Sequence, residues 1–207
     1  MNKYLSLGFL LFFPWLVFAQ SFESQEFERL INAPDDTTKV NQLLALVRKY
    51  VGDSLELSEQ LAGEALRAAE KAGDEMSLVK AYKAKGTIIN YRGGVEEAIE
   101  CYDQALAICA DRPEFKWEKI SILLNIGVVY FYAGDDGKSL EYYIEAESLC
   151  NEPSTEDLRA KIFNNMAVIY RKLNRFEDAA RIYQKSLKIK SNNKDSLGMA
   201  TTLNNIG

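Results

Sequence analysis

Gly127, Ala167 and Gly207 stand 40 residues apart in this chain, and their neighbours repeat with them. Ile126, Met166 and Ile206 come one place earlier, Asn125, Asn165 and Asn205 two places, and Leu123, Phe163 and Leu203 four. Tyr143 matches Tyr183 and Ala146 matches Ser186 at the same spacing; a step back of 41 from Gly127, Tyr143 and Ala146 reaches Gly86, Tyr102 and Ala105. A fixed period of this length means stacked copies of one unit, because a single unit cannot bury its own apolar face.

Inside the unit, Leu123, Ile126, Gly127 and Tyr130 fall at i, i+3, i+4 and i+7, which predicts a helix with one packed face. We call it helix A. A short turn follows, with Gly134 in one unit and Asn174 in the next, residues suited to the left-handed backbone that ends a helix. Helix B then opens with acids, Glu96-Glu97 or Glu177-Asp178, well placed for the positive end of the helix dipole. Gly127 or Ala167 on helix A is expected to face Ser139 or Ala179 on helix B, with the large Tyr143 or Tyr183 beside it.

These residues give the chain its resemblance to the tetratricopeptide repeat: L-x-x-I-G-x-x-Y, then Ser or Ala, Tyr, and Ala or Ser. Three units match, Val79 to Cys109, Ile120 to Cys150 and Ala160 to Lys190. A degenerate first unit runs from about Thr37 to Ala72, and a fifth begins near Gly198 and stops at Gly207, halfway through its helix A. The resemblance implies an all-α, right-handed solenoid of antiparallel helix pairs over residues 35–207, and the open fifth unit leads us to expect further repeats beyond Gly207. Two departures stand out. Lys85 occupies a usually apolar place on helix A, and the period exceeds the family's usual one through longer connections at Asp111 to Glu114 and Asn151 to Ser154. Such spacing is similar to that of kinesin light chains and of bacterial regulators of response-regulator signalling.

Residues 1–19 read as a signal peptide: Lys3 is the basic start, Leu5 to Phe18 the apolar stretch, and Val17-Phe18-Ala19 a cleavage site before Gln20. The apolar run is shorter than the ~20 residues of a spanning helix and is broken by Pro14. Residues 20–34 form a lead-in segment. Its end, Ala33 to Asn41, resembles the start of the exported sensory regions of Bacteroidetes-type histidine kinases and related regulators. Pro34 disfavours helix at Ala33, and Asp36 or Thr37 is placed to cap the helix that follows.

Composition then removes whole classes of chemistry. There is no histidine, so histidine-assisted nucleophiles and histidine-ligated metals are excluded within this chain. The formal charge of −5 argues against general nucleic-acid binding. The recurring acid pairs read as dipole compensation rather than an acid and base couple. Gly93-Gly94 follows no predicted strand and lacks the Lys-Ser or Lys-Thr of a phosphate loop. Cys101, Cys109 and Cys150 are expected as buried small apolar residues rather than bridges. We expect no catalysis, cofactor or metal, and a protein or peptide partner, with a membrane involved only through a downstream segment.

The expected binding surface is the concave strip formed by successive A helices. On it fall Asn125 and Asn165, whose amides suit the main chain of an extended peptide, together with Phe131 and Tyr132 off the packed stripe. The alternative for the asparagines is a bond to a neighbouring helix. Charge is uneven: Ile120 to Pro153 holds one base and six acids, whereas Ala160 to Lys194 holds nine bases and two acids. Lys161, Arg171 and Lys172 thus form a basic end where an acidic peptide can dock, the alternative being a solvated face. Two functions fit: an exported protein-binding scaffold that forms the sensory region of a larger signalling protein, and a free periplasmic adaptor in envelope assembly.

Overall fold

The computed structural model describes residues 27–206, so the expected signal peptide, its cleavage site and the start of the lead-in segment lie outside the described residues. Four helix pairs follow one another: α1 (Thr37–Tyr50) with α2 (Leu55–Ala72), α3 (Glu75–Tyr91) with α4 (Val95–Cys109), α5 (Lys116–Tyr132) with α6 (Asp136–Ser148), and α7 (Glu156–Lys172) with α8 (Phe176–Asn192). A ninth helix, α9 (Ser196–Ile206), is the helix A of a fifth unit. The architecture is the right-handed α-solenoid expected from the period.

The helix boundaries have local causes. Asp36 caps α1 by accepting from the Lys39 amide at 2.8 Å, Asp74 caps α3 through the Ser77 amide at 2.8 Å, and Asp135 caps α6 through the Lys138 amide at 2.9 Å. The turns between A and B carry a left-handed residue at the equivalent place in the second, third and fourth units: Gly93 at φ 87°, Gly134 at φ 85° and Asn174 at φ 59°. Glycine and asparagine tolerate that region best. The longer connections prove to be entry ramps rather than slack loops. Pro113–Phe115 and Pro153–Thr155 form single 3₁₀ turns that run straight into α5 and α7, with Phe115 and Thr155 buried. Each helix A therefore starts about one turn before the first residue of the repeat motif. Ahead of α1, residues 27–31 are helical. The buried Lys39 ties the lead-in down, its Nζ donating to the carbonyls of Ile31 at 2.6 Å and Ala33 at 3.0 Å and to the Asp35 carboxylate at 2.8 Å.

Packing inside a pair follows the small-against-large rule. The Tyr143 ring lies directly on Gly127, and a Cβ at Gly127 would overlap it; a Cβ at Gly86 would sit 3.0 Å from the Tyr102 ring. Ser139, fully buried, donates its hydroxyl to the Gly127 carbonyl at 2.7 Å and holds the crossing closed. Cys101, Cys109 and Cys150 are buried as small apolar residues. Burial pushes the Cys109 thiol up to about 11.

Helix A of the third repeat is covered on both sides. On α5, Ile122, Ile126 and Val129 pack back onto the second repeat, while Ile120, Leu123 and Leu124 pack forward onto α6 and α7. Successive A helices also touch, α1 with α3, α3 with α5 and α5 with α7, whereas the main contacts of each B helix are with A helices. The A helices are thus the crowded, inner layer of the curve, and their free faces line its concave side. Lys85, the residue at odds with the motif, is half-buried on α3.

Candidate peptide-binding groove

The concave side carries a run of clefts that share walls. A cleft of about 460 Å³ lies between α1, α3 and α5, one of about 660 Å³ between α3, α4 and α5, one of about 200 Å³ between α5, α6 and α7, and one of about 760 Å³ between α7, α8 and α9. Thr87 and Tyr91 belong to the first two, Val128 and Tyr132 to the second and third, and Asn165 to the third and fourth. The strip is therefore continuous from Asn41 to Thr201.

Each sequence-predicted residue has a definite place in the structure. Asn125 is half-buried and its Nδ2 donates to Thr87 Oγ1 of the preceding A helix at 3.4 Å. Because the Thr87 hydroxyl donates to the Lys83 carbonyl at 2.9 Å, the Tyr102 hydroxyl, 3.0 Å away, is the donor to Thr87. Asn165 donates from Nδ2 to the Tyr143 hydroxyl at 3.3 Å. Both asparagines thus bond to the preceding repeat through the amide nitrogen, and neither amide oxygen has a donor among the described residues. Burial pushes the Tyr102 and Tyr143 hydroxyls up to about 12, against the opposing influence of the polar side chains beside them, Thr87 and Asn125 at Tyr102 and Ser139 and Asn165 at Tyr143.

Phe131 is half-buried, with its edge against Tyr132 at 5.5 Å between ring centres, and Tyr132 is 76% exposed. Both line the cleft beside Asn165. The basic end is less available than its charge suggests. Lys172 lies 5.3 Å from the Phe131 ring centre and pairs with Asp136 at 2.8 Å, and Arg171 donates to the Asn205 carbonyl at 2.6 Å. Lys161 is exposed and lines the fourth cleft. The structure brings Asn125, Phe131, Tyr132 and Asn165 onto one strip and places Arg171 and Lys172 in inter-repeat contacts.

Sequence reasoning missed the first cleft. Its rim holds two exposed aromatics, Tyr91 at 65% and Trp117 at 46%, and its edge holds Arg48, Lys80 and the Lys83–Glu118 ion pair. Trp117 lies just before the repeat motif and has no counterpart at the 40-residue spacing. Lys83 and Glu118 are 35 residues apart, so only the fold shows that they meet.

Comparison with known proteins agrees with this architecture. Residues 118–192 match the family model of the tetratricopeptide repeat. The chain is 33% identical over 89 residues to the Photosystem I assembly protein Ycf3 of Cuscuta gronovii, covering 43% of this chain and 47% of that protein. It spans about half the length of that relative. Among solved structures, it superposes with a TM-score of 0.72 on a Rap protein complexed with Competence and Sporulation Factor, at 17% identity, covering 80% of this chain and 46% of that one. BtubC from P. vanneervenii superposes at 0.66, with 20% identity, over 91% of this chain and 76% of that one.

Proposed function

Since this chain is built of tetratricopeptide repeats, we propose that it is a protein-interaction scaffold that holds an extended polypeptide along its concave strip and performs no catalysis of its own. The observation that carries this reading is the continuity of the strip: clefts with shared walls run past five A helices, and the amide oxygens of Asn125 and Asn165 have no donor among the described residues. An amide oxygen that faces a groove meets the main-chain N–H of an extended chain whatever its side chains. We further propose that the protein is exported and forms the sensory region of a larger signalling protein such as a histidine kinase. The amino-terminal pattern supports export, and no helix among the described residues is long and apolar enough to cross a membrane. The Rap protein, whose structure was determined in complex with Competence and Sporulation Factor, supports a sensory use of the fold. The Ycf3 relative, an assembly protein, supports the second reading, a free adaptor in envelope assembly.

The experiment is selection of a random twelve-residue peptide library on the purified chain. Selected peptides should lose binding to Val128→Arg with Val168→Arg, substitutions that fill the middle of the strip at half-buried positions without removing an asparagine. Failure to select any peptide, or binding indifferent to both arginines, removes the groove reading. Mass spectrometry of the protein from its native envelope checks export: the mature chain should begin at Gln20.

A further inference from the structure

The amino-terminal cleft differs in kind from the rest of the strip. Leu44 and Val47 of α1 and Ile88 of α3 are buried and form an apolar floor, and Tyr91 and Trp117 stand at the rim with much of their rings open to solvent. Around that floor sit three cations. Lys83 is neutralised: it pairs with Glu118, donates to Ser121 Oγ at 3.3 Å and lies 5.0 Å from the Trp117 ring centre, which fixes the indole at the rim. Arg48 and Lys80 have no such partner. Neither makes a hydrogen bond or an ion pair among the described residues, and Asp74, whose carboxylate feels the Lys80 charge at longer range, is engaged in capping α3. At the other end of the strip, by contrast, Arg171 and Lys172 are held by Asn205 and Asp136.

An apolar floor with open aromatic walls takes a large apolar side chain, and two unneutralised cations beside it take carboxylate. We propose that this cleft is the specificity site of the groove: it seats one leucine-sized or aromatic side chain of an extended partner peptide between Tyr91 and Trp117, with a neighbouring Asp or Glu carboxylate met by Arg48 and Lys80. The proposal rests on the groove reading above and narrows it to an acidic and apolar motif bound at the amino-terminal end. The Lys83–Glu118 pair leaves that side of the cleft without net charge, so the acid is directed to the edge between α1 and α3.

The chain has two tryptophans, Trp15 and Trp117. In the full chain with Trp15→Phe, Trp117 reports the cleft directly. The probe is a labelled, acetylated and amidated peptide of Gly and Ser with Asp-Leu-Asp at its centre, compared with Asn-Leu-Asn, Asp-Ser-Asp and Lys-Leu-Lys versions, up to about 1 mM. Asp-Leu-Asp should shift Trp117 emission to the blue and saturate. The Asn and Ser versions should bind about tenfold more weakly or worse, and added salt should weaken the acidic peptide most. Arg48→Glu with Lys80→Glu, checked for native helicity, should lose about tenfold for Asp-Leu-Asp and gain binding of Lys-Leu-Lys. Equal binding of the Asp and Asn versions, or indifference to the charge reversal, overturns the proposal. Peptide anisotropy that saturates while Trp117 stays silent places the ligand elsewhere in the groove, so the site falls and the groove reading stands. A blue shift that grows with protein concentration and no peptide identifies a second copy as the occupant and overturns it too. If no probe peptide binds while the selected library peptides do, the acidic and apolar motif is wrong and the groove is right; if neither binds, both readings fall.

Discussion

The third repeat (α5 and α6) and the fourth (α7 and α8) share one plan 40 residues apart, yet their junctions close differently. In the third, a glycine lies under the helix B tyrosine, a serine hydroxyl ties the two helices, and the tyrosine hydroxyl receives Asn165 from the next repeat. In the fourth, the corresponding residues are Ala167 and Ala179, and the Tyr183 hydroxyl is buried with no hydrogen-bond partner among the described residues. Asn205, the counterpart of Asn165, bonds instead to Asn164 at 3.3 Å. Beyond it, α9 leaves Leu203 and Ile206 about half exposed, whereas their counterparts Leu123, Ile126, Phe163 and Met166 are buried. The contrast teaches that a repeat's order comes from its successor: the third repeat is finished by the fourth, whereas among the described residues the fourth is followed by α9 alone.

The largest expected effect separates the interior tyrosines from the rest by pH. Tyr102 and Tyr143 hold their protons to about 12 in the folded chain, against 10.0 ordinarily. The folded state keeps these protons while the unfolded state releases them, so the stability they contribute is complete below pH 10 and lost as pH rises toward 12. The loss is on the order of 2 kcal/mol per tyrosine at pH 12. Thermal melts between pH 8 and 12 should show it, and Tyr102→Phe with Tyr143→Phe should flatten the curve.

Next comes the glycine. Gly127→Ala gains about 1 kcal/mol of helix propensity, but its Cβ meets the Tyr143 ring, which is fully buried and unable to retreat. Overpacking of this kind outweighs the gain, for a net loss of roughly 2 kcal/mol. In the fourth repeat the same position already holds alanine, so Ala167→Gly should lose only about 1 kcal/mol through propensity. Urea denaturation followed by circular dichroism gives both numbers; a stabilised Gly127→Ala protein would show that the close approach is not why glycine stands there.

The ion pairs that join neighbouring repeats give a third contrast. Glu118 and Lys83 link the second repeat to the third with side chains 9% and 18% exposed, while Lys172, which links the fourth to the third through Asp136, is 47% exposed. Glu118→Gln leaves a largely buried ammonium without its counter-charge and should destabilise by about 2 kcal/mol. Asp136→Asn should lose less than about 1 kcal/mol. Equal losses would mean that the two joints are solvated alike.

The fold was legible because its determinants are local and repeated. Gly127, Tyr143 and Asn174 announce a close crossing, its filler and a left-handed turn, and each recurs at the place where the structure uses it. The strip of Asn125, Phe131, Tyr132 and Asn165 was legible for the same reason, since a face of helix A is a matter of register. What escaped was everything that depends on which side chains meet across repeats. Lys172 and Arg48 look alike in sequence, but Lys172 meets Asp136 and Arg48 meets no acid among the described residues. The aromatic cleft needs α1, α3 and α5 together, and α1 belongs to the most degenerate unit, where the motif gives the least guidance. The entry ramps at Pro113 and Pro153 escaped because a longer connection and a longer helix look the same as added residues.

The smallest expected effect is the most direct probe of the difference between the two junctions. Tyr143→Phe removes a hydroxyl that accepts from Asn165 at 3.3 Å, and the half-buried amide then turns to water, for a loss of about 1 kcal/mol. Tyr183→Phe removes a hydroxyl that is buried without a partner, so nothing is broken and the desolvation of a polar group is relieved. That variant should lie within about 0.5 kcal/mol of the parent chain or be slightly more stable. If Tyr183→Phe costs as much as Tyr143→Phe, the Tyr183 hydroxyl has a partner in solution. Asn205 is then the residue placed to supply it, and the fourth junction closes as the third does.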